Sequence, residues 1–215
     1  LMEFPSIQFG VEMAFLSLES KTPFDLFPSE FTIGKRNMLI NGLVWMGEEQ
    51  FMKTQIEEKL AQGFSCIKLK IGAIDFDKEL GLLRFIRQNF DAKTIEIRVD
   101  ANGAFNSNEA LSKLNQLNEF ELHSIEQPIK ANQIQEMKLL CHQTPFPIAL
   151  DEELIGVFET EDKRKLLEEI QPQYIILKPS LVGGFKGTLE WISIAESLNI
   201  GWWITSALES NIGLN

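Results

Sequence analysis

The stretch FSCIKLKIG, at residues 64–72, has the length and the composition of a buried β-strand. Because side chains alternate along a strand, its three central aliphatic residues share one face, and Lys68 and Lys70 share the other. The aliphatic face needs cover, which helices provide when they pack on a parallel sheet. The two lysines then point to the opposite side, which in a closed barrel is the interior.

Six further apolar runs of strand length alternate with amphipathic stretches of helical period. The other predicted strands lie at residues 39–46, 95–99, 122–125, 147–150, 174–177 and 200–205. The predicted helices between them lie at residues 75–90, 107–120, 131–142, 159–170 and 185–198. Strands that alternate with helices through short connections predict right-handed β-α-β units and a parallel sheet.

The strand ends recur at a regular interval. The polar residues there are Lys70, Asp100, Glu126, Asp151 and Lys178, which are 30, 26, 25 and 27 positions apart. This regularity favours an α/β barrel of the TIM type over a doubly wound sheet. With about seven strands in 215 residues, the chain is shorter than the ~250 residues typical of that barrel, and we expect an incomplete barrel.

Composition excludes several classes of protein. The 16 Phe and 4 Trp are too many for a disordered chain, and a formal net charge of −11 argues against a nucleic-acid partner. The longest uncharged stretches, residues 37–47 and 197–208, are shorter than the ~20 apolar residues of a membrane span. Cys66 and Cys141 have no paired spacing and read as free thiols. With no secretory signal at the start, these features predict a cytoplasmic protein.

Asp100, Glu126 and Asp151 end three consecutive predicted strands, and a lysine strand lies on each side of them. Any one of these carboxylates alone is more often a strand-end residue without a function. Three that converge at the mouth of a barrel repel each other unless a cation neutralises them, and hard oxygen ligands suit Mg²⁺, with Mn²⁺ as the alternative. Lysines beside such a metal predict abstraction of a proton next to a carboxylate.

Five segments lie at the ends of predicted strands: IKLKI from residue 67, RVDANG from residue 98, IEQP from residue 125, LDE from residue 150 and LKP from residue 177. In their order and in their positions at the strand ends, these segments resemble the enolase superfamily, in its muconate-lactonizing subgroup. The resemblance implies that Asp100, Glu126 and Asp151 bind Mg²⁺. It also implies that Lys70 and Lys178 face each other across the substrate as acid/base partners, with Lys68 supporting Lys70.

Within the subgroup, residues 178–185 and 206–215 are most similar to the o-succinylbenzoate synthases of menaquinone biosynthesis. This resemblance implies a metal-dependent lyase that dehydrates a cyclohexadiene carboxylate, SHCHC, to the aromatic o-succinylbenzoate. Its implied substrate-binding residues are Asn102, Gly183, Ser206 and Glu209. The implied partner is a small carboxylate, with no nucleic acid and no membrane, and a homo-oligomer stays open.

The sequence also gives an expectation about domains. Residues 1–38 stand outside the β-α pattern, with a helix at residues 6–18 and a loop at residues 21–28, and residues 39–215 form the partial barrel. The first segment is expected to be the remnant that leads to an N-terminal α+β capping domain, largely missing here together with the last helix and strand.

Three other functions remain open at this stage. Epimerases and racemases of dipeptides or N-acylamino acids, and cycloisomerases, share the lysines and carboxylates of the same superfamily. A Schiff-base aldolase would use Lys178 but has no role for the three carboxylates. A truncated barrel without catalytic activity would bind ligands or partners only.

Overall fold

The computed structural model describes residues 3–22 and 25–215, and within them it contains seven β-strands and nine α-helices. The strands are β1 Gly42–Val44, β2 Cys66–Lys70, β3 Glu96–Asp100, β4 Ser124–Glu126, β5 Ile148–Leu150, β6 Tyr174–Leu177 and β7 Gly201–Ile204. The helices are α1 Pro5–Glu19, α2 Glu49–Ala61, α3 Phe76–Asn89, α4 Ser107–Leu117, α5 Ile134–Gln143, α6 Thr160–Ile170, α7 Pro179–Val182, α8 Gly184–Ser197 and α9 Asn211–Leu214.

The chain divides into two compact units. The sheet unit comprises Ile40–Glu153 and Glu169–Tyr174, and the flanking unit comprises Leu1–Leu39, Leu154–Glu168 and Ile175–Asn215. In the sheet unit, β1 to β5 pair in chain order, and every pair is parallel. In the flanking unit, the backbone N–H of Thr205 donates to the Leu177 carbonyl at the end of β6.

The alternation expected for residues 64–72 is present in the sheet. Ile67 and Leu69 of β2 are fully buried, as are Ile97 and Val99 of the neighbouring β3, whereas the residues between them are partly exposed. These aliphatic side chains lose their contact with water on folding, which contributes roughly 1.5–3 kcal/mol for each. One face of the sheet is therefore a hydrophobic core, and the other is free to carry polar groups.

Local signals set the helix starts. The Asp75 side chain accepts a hydrogen bond from the Asp77 N–H before α3, and Asn106 accepts one from the Asn108 N–H before α4, as expected of N-cap residues. In α4 the buried residues are Ala110, Leu114 and Leu117, which are four and three positions apart and so lie on one face of the helix. Its last predicted turn is a short 3-10 helix, Asn118–Phe120.

Two differences from the predicted elements have physical causes. Only residues 42–44 of the expected strand at 39–46 pair with β2, and Leu39 is 92% exposed. Helix α2 was not predicted because its apolar stripe is thin: Met52 and Ile56 are its buried residues. Helix α1 covers the helix expected at 6–18, while residues 23 and 24 of the expected loop lie outside the described residues.

Gly103 holds the loop after β3 close to the loop after β4. Its φ is +73°, and a Cβ atom there would lie 2.9 Å from the Lys130 Cα. Its N–H donates to the Gln127 carbonyl at 2.7 Å. Glycine is required here both for the left-handed backbone and for the close approach.

Among the described residues, none of the helices has the length and the apolar character that a membrane span requires.

Candidate active site

The register of the parallel strands aligns the predicted site residues of the sheet unit at one edge. Lys70 is paired with Asp100, Asp100 with Glu126, and Glu126 with Ala149. Asp151 follows two positions after Ala149, just beyond β5. The carboxyl ends of four neighbouring strands thus carry a lysine and three carboxylates side by side, at the end of a parallel sheet where active sites lie.

Lys68 provides the positive charge between two of these carboxylates. Its Nζ lies 2.9 Å from Asp100 Oδ2 and also contacts Glu126 Oε2. The Asp100 and Glu126 side chains are 0% and 3% exposed, and that of Lys68 is 14% exposed. Because charges attract strongly when water is excluded, Lys68 is an integral part of the cluster.

Lys70 lies in the same cluster and contacts a different pair of partners. Its Nζ donates to Asp100 Oδ2 at 2.5 Å and to Asn102 Oδ1 at 2.8 Å. Asn102 in turn donates through Nδ2 to Glu152 Oε1 at 2.8 Å, and its backbone N–H donates to Asp100 Oδ1 at 3.0 Å. The backbone of Asn102 has a left-handed φ of +43°, which directs its side-chain amide back toward the strand ends. Lys70 is therefore held by groups that come from β3 and the turn after it.

Burial and mutual repulsion control the protonation of the cluster. Burial and the charge of Asp100 raise the pKa of Glu126 to about 8; Lys68 opposes the shift and Asp151 adds to it. Burial also raises the pKa of Asp100, but the two lysines outweigh it, so that this pKa lies below its usual value. Burial lowers the pKa of Lys68, yet Glu126 and Asp100 more than compensate and raise it. The one ammonium beside Glu126 therefore does not offset the combined effect of burial and the neighbouring carboxylates on the pKa of Glu126.

The chemistry of the donor set fits a divalent cation. Asp100, Glu126 and Asp151 offer hard carboxylate oxygens, and each residue is at most 3% exposed. Burial, together with the charges of Asp100 and Asp151, raises the pKa of Glu126, and a cation bound there would oppose that rise. Within residues 3–22 and 25–215, no group of three or more His, Cys, Asp or Glu side chains is arranged to hold a metal ion. The structure brings Asp100 and Glu126 together around the Lys68 ammonium.

Glu152 was not among the residues expected from the sequence. It follows Asp151 directly and accepts a hydrogen bond from Asn102. Because Asn102 also accepts from Lys70, Glu152 connects the loop after β5 to Lys70 through Asn102. The signal was in the sequence: three acidic residues in a row after an apolar run are costly unless each has a partner. The fold supplies Asn102 as the partner of Glu152, and Gln127 and Asn132 as the partners of Glu153.

The remaining predicted residues lie in the flanking unit. Lys178 directly follows β6, and Gly183 has a φ of +102° between α7 and α8. Glu209 is engaged within the chain, because its carboxylate accepts from the Ser180 hydroxyl and from the Ala207 N–H, each at 2.7 Å. Ser206 is exposed in the turn after β7. The structure thus brings Ser180 and Glu209 together.

Strands that alternate with helices, together with lysines and carboxylates at the strand ends, define this chain as an α/β protein of the barrel type. The Enolase C-terminal domain-like family matches residues 52–215. The chain belongs to that family, and the resemblance seen in the sequence is confirmed.

Individual relatives agree with the family. The chain is 56% identical over 211 residues, 98% of its length, to an o-succinylbenzoate synthase of Desulfotalea psychrophila. The crystal structure of MenC from the same organism superposes with a TM-score of 0.91 at 54% identity, covering 98% of this chain and 58% of that one. A muconate cycloisomerase from Pseudomonas fluorescens matches at a TM-score of 0.77 and 29% identity, over 96% of this chain and 56% of that one. The expected barrel-type α/β fold is confirmed by these likenesses.

The chain spans between 40% and 60% of the length of curated relatives that it matches. For the o-succinylbenzoate synthase of Desulfotalea psychrophila that share is 57%.

Proposed function

We propose that the protein acts as a Mg²⁺-dependent o-succinylbenzoate synthase, a lyase that dehydrates SHCHC in menaquinone biosynthesis. One observation carries the proposal: two lysines and two buried carboxylates form a single charged cluster at the strand ends of β2, β3 and β4. The 56% identity to an o-succinylbenzoate synthase over 98% of the chain supports the choice of substrate.

Lys70 is the proposed general base. In its neutral form it takes the proton from the carbon next to the substrate carboxylate, and it is then returned to the ammonium form, which Asp100 and Asn102 hold at 2.5 and 2.8 Å. The electron pair left on the substrate expels hydroxide from the ring, and the ring becomes aromatic. In total the substrate loses one molecule of water.

Asp100, Glu126 and Asp151 are the proposed ligands of Mg²⁺. When bound, the ion supplies positive charge that stabilises the negative charge developing on the substrate carboxylate. Lys68 supports Lys70 by neutralising the Asp100 and Glu126 carboxylates, with which it is in contact. For Lys178, the proposed role is to provide a second positive charge to the anion.

Other features remain part of the proposal. Asn102, Gly183, Ser206 and Glu209 are the proposed substrate contacts, and Mn²⁺ is the alternative metal. We further propose a cytoplasmic protein that binds a small carboxylate substrate and no nucleic acid or membrane. Residues 1–38 are proposed as a segment leading to a capping domain, and residues 39–215 as the catalytic part of the barrel.

The experiment that tests the proposed reaction follows formation of the aromatic product from SHCHC by absorbance. We expect turnover by the protein in the presence of Mg²⁺ and a loss of about 10²–10⁴-fold in kcat for Lys70→Ala, because the general base is removed. Lys165→Ala, at an exposed lysine of α6, is the matched control and should leave the rate unchanged. Equal rates for Lys70→Ala and the unsubstituted protein would refute the proposed role of Lys70.

An epimerase or racemase is the second candidate, and two likenesses favour it. The chain is 34% identical over 158 residues to an N-succinylamino acid racemase of Thermus thermophilus, over 74% of this chain and 40% of the relative. A dipeptide epimerase from Enterococcus faecalis matches at a TM-score of 0.73 and 25% identity, over 82% of this chain and 50% of that one. Exchange of the α-hydrogen of a dipeptide or N-succinylamino acid in D₂O, with no dehydration of SHCHC, would favour this reading.

A further inference from the structure

Gln127 follows the candidate ligand Glu126 and is completely buried. Its side-chain amide makes four hydrogen bonds. Nε2 donates to the Ile129 carbonyl at 3.0 Å and to Glu153 Oε2 at 3.1 Å, and Oε1 accepts from the N–H groups of Asp151 at 3.2 Å and Glu153 at 3.3 Å. Two donors and two acceptor positions are all that an amide offers, so every one of them is used.

Glu153 completes the link between two loops. It is 6% exposed, and its second oxygen, Oε1, accepts from the Asn132 N–H at 2.8 Å. The contacts of Gln127 and Glu153 therefore fasten the loop after β4 to the segment 151–153 after β5. Each segment carries one candidate metal ligand. In the first segment Glu126 directly precedes Gln127 in the sequence. In the second segment the backbone N–H of Asp151 donates to the Gln127 side chain.

We propose that Gln127 and Glu153 are positioning residues that set the backbone of Asp151, and with it the spacing of the Asp151 and Glu126 carboxylates for a divalent cation. This rests on the proposed function, because it takes these two carboxylates as ligands. Groups that orient metal ligands without touching the metal typically change affinity by 10–100-fold when they are altered.

The donor and acceptor pattern allows a sharp test. In Gln127→Glu the side chain keeps its shape, but both donors are lost and a carboxylate faces Glu153 and the Ile129 carbonyl. In the combined variant Gln127→Glu with Glu153→Gln, the bond is restored in the reverse direction, because the new amide at position 153 donates to the new carboxylate at position 127. The new amide oxygen still accepts from Asn132.

The measurement is Mg²⁺ titration by calorimetry on the purified protein and its variants, with the folded fraction checked by circular dichroism. We expect the Mg²⁺ dissociation constant to rise about 10–100-fold in Gln127→Glu and to recover at least tenfold in the combined variant. Gln116→Glu, on the exposed side of α4, should bind Mg²⁺ like the unsubstituted protein. A merely structural role would lower the melting temperature of Gln127→Glu and leave the dissociation constant of its folded fraction unchanged.

The outcomes separate the two proposals. If the unsubstituted protein binds Mg²⁺ and folded Gln127→Glu binds it equally well, the positioning role is overturned and the proposed function stands. If the unsubstituted protein does not bind Mg²⁺, the proposed metal site itself fails. If Gln127→Glu does not fold, Glu153→Gln is measured instead, because it replaces one carboxylate oxygen, the acceptor for Gln127, by an amide nitrogen. Weaker Mg²⁺ binding by this variant supports the proposal, and unchanged binding overturns it.

Discussion

Lys70 and Asp100 occupy paired positions on two neighbouring parallel strands, and the Lys70 Nζ lies 2.5 Å from Asp100 Oδ2. The same oxygen is 2.9 Å from the Nζ of Lys68, so one carboxylate oxygen serves two ammonium groups. A cation that binds Asp100 must compete with both lysines for this oxygen. The proposed base and the proposed metal ligand are therefore energetically coupled.

Removal of the Lys70 ammonium should strengthen Mg²⁺ binding. Lys70→Ala deletes one of the cations that compete for Asp100, and we expect Mg²⁺ to bind about 3- to 10-fold more tightly, as judged by calorimetric titration. Lys78→Ala, at an exposed lysine of α3, serves as the control and should show no change. Weaker Mg²⁺ binding by Lys70→Ala than by this control would contradict the coupling.

Lys68→Met should destabilise the fold in a way that Mg²⁺ partly reverses. The variant leaves Asp100 and Glu126 buried without the ammonium between them, which we expect to cost about 3–5 kcal/mol of the free energy of unfolding. Added Mg²⁺ replaces part of the lost charge and should raise the melting temperature more in the variant than in the unsubstituted protein. Thermal unfolding with and without Mg²⁺ measures this; an equal shift in both proteins would argue against shared use of the carboxylates.

The sequence predicted the cluster because strand parity and chain order are sufficient to place it. Alternation along residues 67–71 put Lys68 and Lys70 on one face, and the register then set Lys70 beside Asp100 and Asp100 beside Glu126. The contacts of Lys68 could not be predicted, because parity does not say which carboxylates a long flexible side chain reaches. Helix α2 was not predicted because few of its residues are apolar and buried. The four hydrogen bonds of Gln127 could not be predicted either, because they join two loops that are distant in the sequence.

Arg87 should contribute to stability without affecting the site. Its guanidinium donates to the carbonyls of Phe120 at 2.7 Å, Ile95 at 2.8 Å and Glu121 at 3.2 Å, and so ties the end of α3 to the chain before β3 and β4. We expect Arg87→Met to lower the free energy of unfolding by about 1–3 kcal/mol in urea titrations, with kcat unchanged. The control is Arg84→Met, one turn earlier and exposed, which should cost less than about 1 kcal/mol. Equal losses in the two variants would refute the role of Arg87.

The two cysteines should react slowly at neutral pH. Burial raises the pKa of both Cys66 and Cys141 to about 12, so very little thiolate is present at pH 7. Labelling of the native protein should accelerate about tenfold per pH unit between pH 7 and 9, and it should become fast in urea. Rapid labelling of either cysteine in the native protein at pH 7 would contradict these raised pKa values.

The raised pKa of the two thiols also predicts a loss of stability at high pH. Because the thiols of the unfolded chain ionise at a lower pH than those of the native protein, the free energy of unfolding should fall as the pH rises above about 9.

The most direct test of the account is the turnover of SHCHC after thorough chelation with EDTA, followed by stepwise return of Mg²⁺. If Asp100, Glu126 and Asp151 hold the metal that stabilises the anion, formation of aromatic product should fall to the background rate on chelation and recover in proportion to the Mg²⁺ bound. Turnover that persists at its full rate in EDTA would contradict the central claim.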